Sequence, residues 1–193
     1  MADVRPSTIV YRVDGDDIIR HVDDGWLSFA AANGSPGLTR DRVLGRYIFD
    51  FISGDEARHI FKLLFGRVRG QRASIRVPFR CDAPALRRFM MMTMSPYEGT
   101  GVQFESEVVR EEAREFVSIL DAIAVRCDEF VRVCSWCKRV CLDEDSWVDV
   151  ERAVAALDLL SSRELPQLTH GICPECLDLI QRARALRSPA DRS

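Results

Sequence analysis

Two Cys-x-x-Cys pairs, Cys134-Ser135-Trp136-Cys137 and Cys173-Pro174-Glu175-Cys176, stand with 35 residues between Cys137 and Cys173. Each pair forms a tight turn that presents two thiolates to one point, and two such turns complete a tetrahedral site for zinc. Whatever this chain folds into must therefore close that intervening loop on itself. The loop is longer than a compact zinc ribbon needs, and the segment Ser146–Ser162 accounts for the excess. There Trp147, Val150, Val154 and Leu157 predict an amphipathic helix behind Ser146 as N-cap. His170 and Cys141 are spare donors near the two pairs that could replace a cysteine ligand; with four thiolates at hand both are read as supporting groups. Redox chemistry is the rival use of Cys-x-x-Cys, but one pair suffices for it and here there are two.

The sequence holds seven cysteines, and only Cys81 falls outside the last 70 residues. A disulfide framework suits a short secreted chain, whereas 193 residues with 47% apolar side chains can bury an ordinary core plus a small appendage. The first residues, Met1-Ala2-Asp3-Val4-Arg5, lack the basic and apolar pattern of a secretory signal, so a cytoplasmic protein is expected. No apolar run is long enough to span a bilayer, and no membrane association is expected. Lys and Arg total 27 against 30 Asp and Glu, a net charge of -3, which gives no electrostatic reason to expect nucleic acid as a partner.

The segment before the cysteines alternates between strand and helix patterns. Thr8–Val13 and Ile18–Val22 flank the turn Asp14-Gly15-Asp16-Asp17 and predict a hairpin. A short helix follows at Trp26–Ala32, then an apolar turn at Tyr47–Ile52. A longer helix is predicted from Asp55 to Arg69, carrying Ile60, Leu63 and Leu64 on one face. Ala73–Arg80, Arg87–Met94 and Val102–Val109 predict three more strands. The pattern specifies an α+β fold: a five-stranded antiparallel sheet with short helices on one side. From 107 to 134 the apolar residues Val109, Ala113, Phe116, Leu120, Ile123, Cys127 and Phe130 recur at alternating spacings of four and three. That stripe predicts a long connecting helix and, through its seam, a parallel homodimer, the alternative being a stripe that packs on the sheet or on the C-terminal module.

Residues 7–107 resemble a PAS domain, the small ligand-sensing fold of bacterial signalling proteins. The resemblance rests on the Asp14–Asp17 hairpin, Asn33-Gly34 after the helix with Trp26, and Val43-Leu44-Gly45-Arg46 running into Phe49-Asp50-Phe51-Ile52. Cys134-Ser135-Trp136-Cys137 with His170-Gly171-Ile172-Cys173-Pro174-Glu175-Cys176 resembles a tail found on some response regulators and PAS proteins. The organisation implied is a PAS-like domain at 7–107, a connecting helix at 108–133, a four-cysteine zinc module at 134–180 and a disordered tail at 181–193.

Within the PAS-like part, His59 lies early in the 55–69 helix, where oxygen-sensing haem PAS domains carry their proximal histidine. It is the candidate haem ligand, although a lone histidine beside Arg58 more often sits at the surface. Met90, Met92 and Met94 share one strand face, where thioethers would line an apolar cleft or simply fill the core. Arg80, Arg87 and Arg88 surround the Pro84 turn and are read as a solvated hairpin face, with an anionic ligand as the alternative.

No catalytic motif is present: there is no Gly-rich phosphate loop, no nucleophile elbow and no His-Glu-x-x-His helix. The expectation is a non-enzymatic bacterial signalling protein, with a PAS sensor or interaction module coupled to structural zinc. It would have a small-molecule ligand in the cleft, an unknown signalling partner and no catalytic output domain. The alternatives are a zinc-containing transcription-associated adaptor that dimerises through the PAS fold, and a thiol redox sensor.

Overall fold

In the computed structural model, which describes residues 8–143, 146–159 and 164–185, the period-two strands pair as their patterns require. β1 (Ile9–Val13), β2 (Ile19–Val22), β3 (Ile75–Arg80), β4 (Leu86–Tyr97) and β5 (Gly101–Ala113) form one antiparallel sheet in the order β2-β1-β5-β4-β3. Alternate residues point to one covered face. Val77, Met92, Met94, Val102 and Phe104 are buried there, while Arg76 and Glu107 on the other face form an exposed ion pair.

Three helices, α1 (Asp24–Ala32), α2 (Arg40–Val43) and α3 (Asp55–Gln71), connect β2 to β3. The side chain of Asp23 accepts from the Trp26 N–H and caps α1. α3 buries Ala57, Ile60, Leu64, Phe65 and Val68 against the sheet, the predicted helical stripe. The α+β architecture with an antiparallel sheet and short helices is as expected.

The segment 108–133 departs from the expected connecting helix. β5 continues to Ala113 because β4 supplies a ladder partner along its whole length, from Tyr97↔Gly101 to Leu86↔Ala113. Pairing of that extent overrides local helix preference. Beyond it, the Arg114 N–H donates to the Ala85 carbonyl and the Val117 N–H to the Pro84 carbonyl, which keeps the chain extended. A short 3-10 turn at Ser118–Leu120 precedes β6 (Arg126–Cys134). The stripe is thereby dispersed: Phe116, Ile123 and Phe130 are exposed, and no helical seam exists through which a coiled coil could form.

β6 is the centre of a second sheet. It pairs antiparallel with β7 (Val140–Cys141), which pairs with β8 (Trp147–Val148), and parallel with β9 (Leu165–Gly171). The predicted Ser146–Ser162 helix is shorter: Trp147 lies in β8, and α4 spans Val150–Ala156. Residues 160–162 of that expectation fall outside the described residues. α4 buries Val150, Ala153 and Val154 with Val117, Ile119, Val133 and Val140 in a small core. Helix α5 (Pro174–Ala185) closes the described structure, so the expected tail at 181–193 is helical through Ala185, and residues 186–193 lie outside the described residues.

The two sheets are joined by a shared core. Cys134, Trp136, Cys173, Cys176 and Ile180 belong to the same buried cluster as Phe65, Val77 and Phe104. The indole of Trp136 packs on Phe61 and Phe79, with ring centroids 5.7 and 6.3 Å away. Its N–H donates to the Pro78 carbonyl at 2.6 Å, and the Arg80 N–H donates to the Trp136 carbonyl at 2.8 Å. β3 is the sheet's edge strand, which explains both the tolerated Pro78 and the need for something to cover its free backbone groups. Gly54, at φ +88°, sets the other joint. A Cβ there would lie 2.8 Å from the Cβ of His170, so only glycine lets the start of α3 approach β9 this closely.

A candidate metal centre beside the cleft

The first cysteine pair sits where β6 turns into β7. The Lys138 N–H donates to the Cys134 carbonyl at 3.0 Å, the Cys134 N–H donates to the Arg139 carbonyl at 2.7 Å, and Lys138 takes a left-handed conformation (φ 65°) to close the turn. The second pair sits at the start of α5. The Leu177 N–H donates to the Cys173 carbonyl, which makes Cys173 the N-cap, with Pro174 at the first helical position, where its missing N–H costs nothing. A strand turn and a helix start thus aim two thiols each at one point.

The four sulfurs of Cys134, Cys137, Cys173 and Cys176 all lie within 4.8 Å of one another, and those of Cys137 and Cys173 are 3.6 Å apart. Tetrahedral zinc with Zn–S bonds of ~2.3 Å places its sulfurs about 3.8 Å apart. A disulfide would need ~2.05 Å, and all seven cysteines are free. Cys134 and Cys173 are fully buried, Cys176 nearly so, and Cys137 is half-buried. The Cys173 N–H donates to the Cys134 sulfur at 3.4 Å, the kind of backbone contact that supports a ligating thiolate.

Electrostatics point the same way. Hydrogen bonds from the Cys137 and Cys176 thiols lower the pKa of Cys134, with a further contribution from backbone N–H groups. Cys176 is raised by the neighbouring Cys134 and Cys137, and burial pushes the Cys173 thiol up to about 12. Four thiolates cannot coexist in so small a space without a cation, and a divalent metal supplies the missing charge. These residues fit zinc.

The spare donors stand apart. Cys141 donates its S–H to the Asp143 carbonyl at 2.8 Å and accepts from Arg132 at 3.2 Å. His170 is on β9, beside the cleft rather than in the cluster. Among the described residues, the group of donors close enough to share an ion contains only the four cysteines.

Between α3, the sheet and the Cys134–Cys137 turn lies a cleft of about 380 Å³. Tyr11, Met92 and Ser106 line it from the sheet, and Phe61 from α3. Ser135, Trp136, Lys138 and His170 line it from the cysteine-bearing half. Of the three methionines, all buried, only Met92 reaches the cleft; Met90 and Met94 fill the interior. His59 does not reach it. The residue is exposed on α3, because Ala57, Ile60 and Leu64 take the inward face and leave position 59 outside. The expected haem axial ligand is therefore misplaced, and α3 offers no other imidazole.

The arginine cluster is occupied by protein carboxylates. Arg80 and Arg114 both bind Asp82, whose side chain is 1% exposed. Arg114 also reaches Glu151 at 3.1 Å, Arg87 reaches Glu151 at 2.7 Å, and Arg88 reaches Glu111 at 2.8 Å. Spacing hinted at an arginine cluster, but the role of Asp82 and Glu151 in tying the first sheet to α4 had no local signal.

No protein-family model matches the sequence, and no curated protein matches it. Among solved structures, the chain is similar to the PAS domain of BvgS from Bordetella pertussis, at 22% identity over 53% of this chain and 73% of that one, with a TM-score of 0.39. It is also similar to the PAS domain of the RpfR quorum-sensing receptor from Cronobacter turicensis, at 13% identity over 56% of this chain and 100% of that one (TM-score 0.41). A domain of an HTR-like protein from Haloarcula marismortui matches at 14% identity over 54% of this chain and 99% of that one (TM-score 0.39). No helix among the described residues is long and apolar enough to cross a membrane.

Proposed function

We propose that this protein is a PAS-like sensory or interaction module whose C-terminal half is held together by one structural zinc ion. The observation that carries the reading is the convergence of Cys134, Cys137, Cys173 and Cys176, with sulfurs within 4.8 Å, at a turn whose Ser135, Trp136 and Lys138 line the cleft beneath α3. A metal with four protein thiolates keeps no open position for substrate, so its role is structural and no reaction is assigned to it. It ties β6, β7 and α5 to one another, and Trp136 ties them to the edge of the first sheet. Occupancy of the cleft would be passed to the C-terminal half through that contact. This remains a signalling role in the cytoplasm, without a catalytic step.

The test is native mass spectrometry of the purified protein. One zinc per chain is expected, and Cys173→Ser should release it. A chain without metal that instead carries a Cys134–Cys137 or Cys173–Cys176 disulfide would favour the thiol redox sensor.

A further inference from the structure

The cysteine-bearing turn does more than hold metal: it furnishes one end of the cleft. The sheet and α3 line the cleft largely with apolar and aromatic side chains, including Phe61, Phe79 and Met92. Ser135, Trp136 and Lys138 come from the turn between Cys134 and Arg139, and two of them, Ser135 and Lys138, bring a hydroxyl and an ammonium to the lining. The Ser135 hydroxyl is buried with no hydrogen-bond partner among the described residues. A buried hydroxyl without a partner is costly, so a group that satisfies it is favoured. The Lys138 ammonium donates to the Ser135 carbonyl at 2.9 Å, one of its three N–H donors, and no carboxylate among the described residues pairs with it.

An unpaired ammonium and an unsatisfied hydroxyl, three residues apart on one turn, face a cleft that also offers the apolar side chains of Phe61, Phe79 and Met92, while the other cation of the lining, Arg80, is already paired with Asp82. We propose that the cleft binds an apolar carboxylate. Its body would lie against Phe61, Phe79 and Met92, and its carboxylate would be held by Lys138 and Ser135. The cleft volume of about 380 Å³ is in the range of small-molecule sites. The inference rests on the reading above, because the metal fixes the turn that carries both polar groups. Metal loading and carboxylate binding are then linked, each raising the affinity for the other by the same factor.

The test uses the full chain with its metal, and 2-naphthoate and the uncharged 2-naphthamide as probes, followed by calorimetry. Naphthoate should bind at one site per chain and at least tenfold more tightly than the amide, the expected worth of a charge-assisted hydrogen bond. Lys138→Met should reduce naphthoate binding about tenfold, leave naphthamide binding unchanged and keep one metal per chain. Saturating naphthoate should also slow transfer of the metal to a competing chelator. Equal binding of the two probes, no binding of either, or undiminished naphthoate binding by Lys138→Met with metal retained would overturn the proposal. A chain that carries no metal, yet discriminates the probes through Lys138, would instead overturn the structural-zinc reading and the linkage while leaving the carboxylate site in place.

Discussion

The indole N–H of Trp136 donates to the carbonyl oxygen of Pro78 at 2.6 Å, and this contact joins the cysteine turn to the edge of the first sheet. Trp136 is 4% exposed and lies one residue before a metal-ligand candidate. The same side chain therefore fills the cleft wall, covers the β3 edge and fixes the Cys134–Cys137 turn. Trp136→Phe keeps much of the apolar contact but leaves the Pro78 carbonyl without that donor. A loss of about 1–3 kcal/mol is expected in urea unfolding. Trp136→Ala should cost more, about 3–5 kcal/mol, through the cavity it leaves.

Asp82 makes a second joint testable. Its buried carboxylate accepts from Arg80 and Arg114, both also largely buried. Asp82→Ala would leave two guanidiniums without their shared partner. We expect a loss of about 1–3 kcal/mol, read from denaturant unfolding, because Arg114 and Arg80 keep only their weaker partners, Glu151 and Asp149. Exposed pairs such as Arg76–Glu107 should contribute about 0–1 kcal/mol when cut.

Glu151 gives the acid limb of stability. Desolvation pushes its carboxyl up, but its own backbone N–H and the Arg87 and Arg114 guanidiniums outweigh burial and hold it below its ordinary value of 4.5. The folded pKa is lower than the unfolded one, so the stabilisation is present above pH 4.5 and is lost as pH falls through the lowered value. Glu151→Gln should be less stable at neutral pH, and its stability should decline less steeply on acidification below 4.5. A parallel decline in both proteins would contradict the ion pairing.

Gly54 is the tightest backbone approach between the two halves. Gly54→Ala puts a methyl 2.8 Å from the His170 Cβ at a φ of +88°. Strain and collision together should cost more than the ~1 kcal/mol of an ordinary left-handed residue, seen as a lowered melting temperature. His59→Ala should change stability by no more than about 0.5 kcal/mol, as expected for an exposed side chain.

The sequence made the first sheet legible because its strands are amphipathic: Ile75, Val77 and Phe79 alternate with Ser74, Arg76 and Arg80. The four ligand candidates were legible for a different reason, since Cys-x-x-Cys encodes a local turn. What misled was periodicity without context. Phe116, Ile123 and Phe130 fit a helical stripe, yet their neighbours extend as β5 and β6 because distant partners, Leu86–Tyr97 and Leu165–Gly171, supply ladders. Nothing local to 107–134 announces strands at 86–97 and 165–171 as its partners. The inward or outward orientation of His59 likewise depended on which face of α3 met the sheet. The contribution of Lys138 and Ser135 to the cleft required the packing of Trp136, a tertiary contact over 58 residues of sequence.

The central claim, that four thiolates hold one metal in the C-terminal half, is tested most directly by X-ray absorption at the zinc edge of the purified protein. The expected result is a single shell of four sulfurs at about 2.3 Å, unchanged in Cys127→Ser or Cys141→Ser and lost with the metal in Cys173→Ser. A shell containing nitrogen or oxygen, or a full zinc equivalent retained by Cys173→Ser, would contradict it.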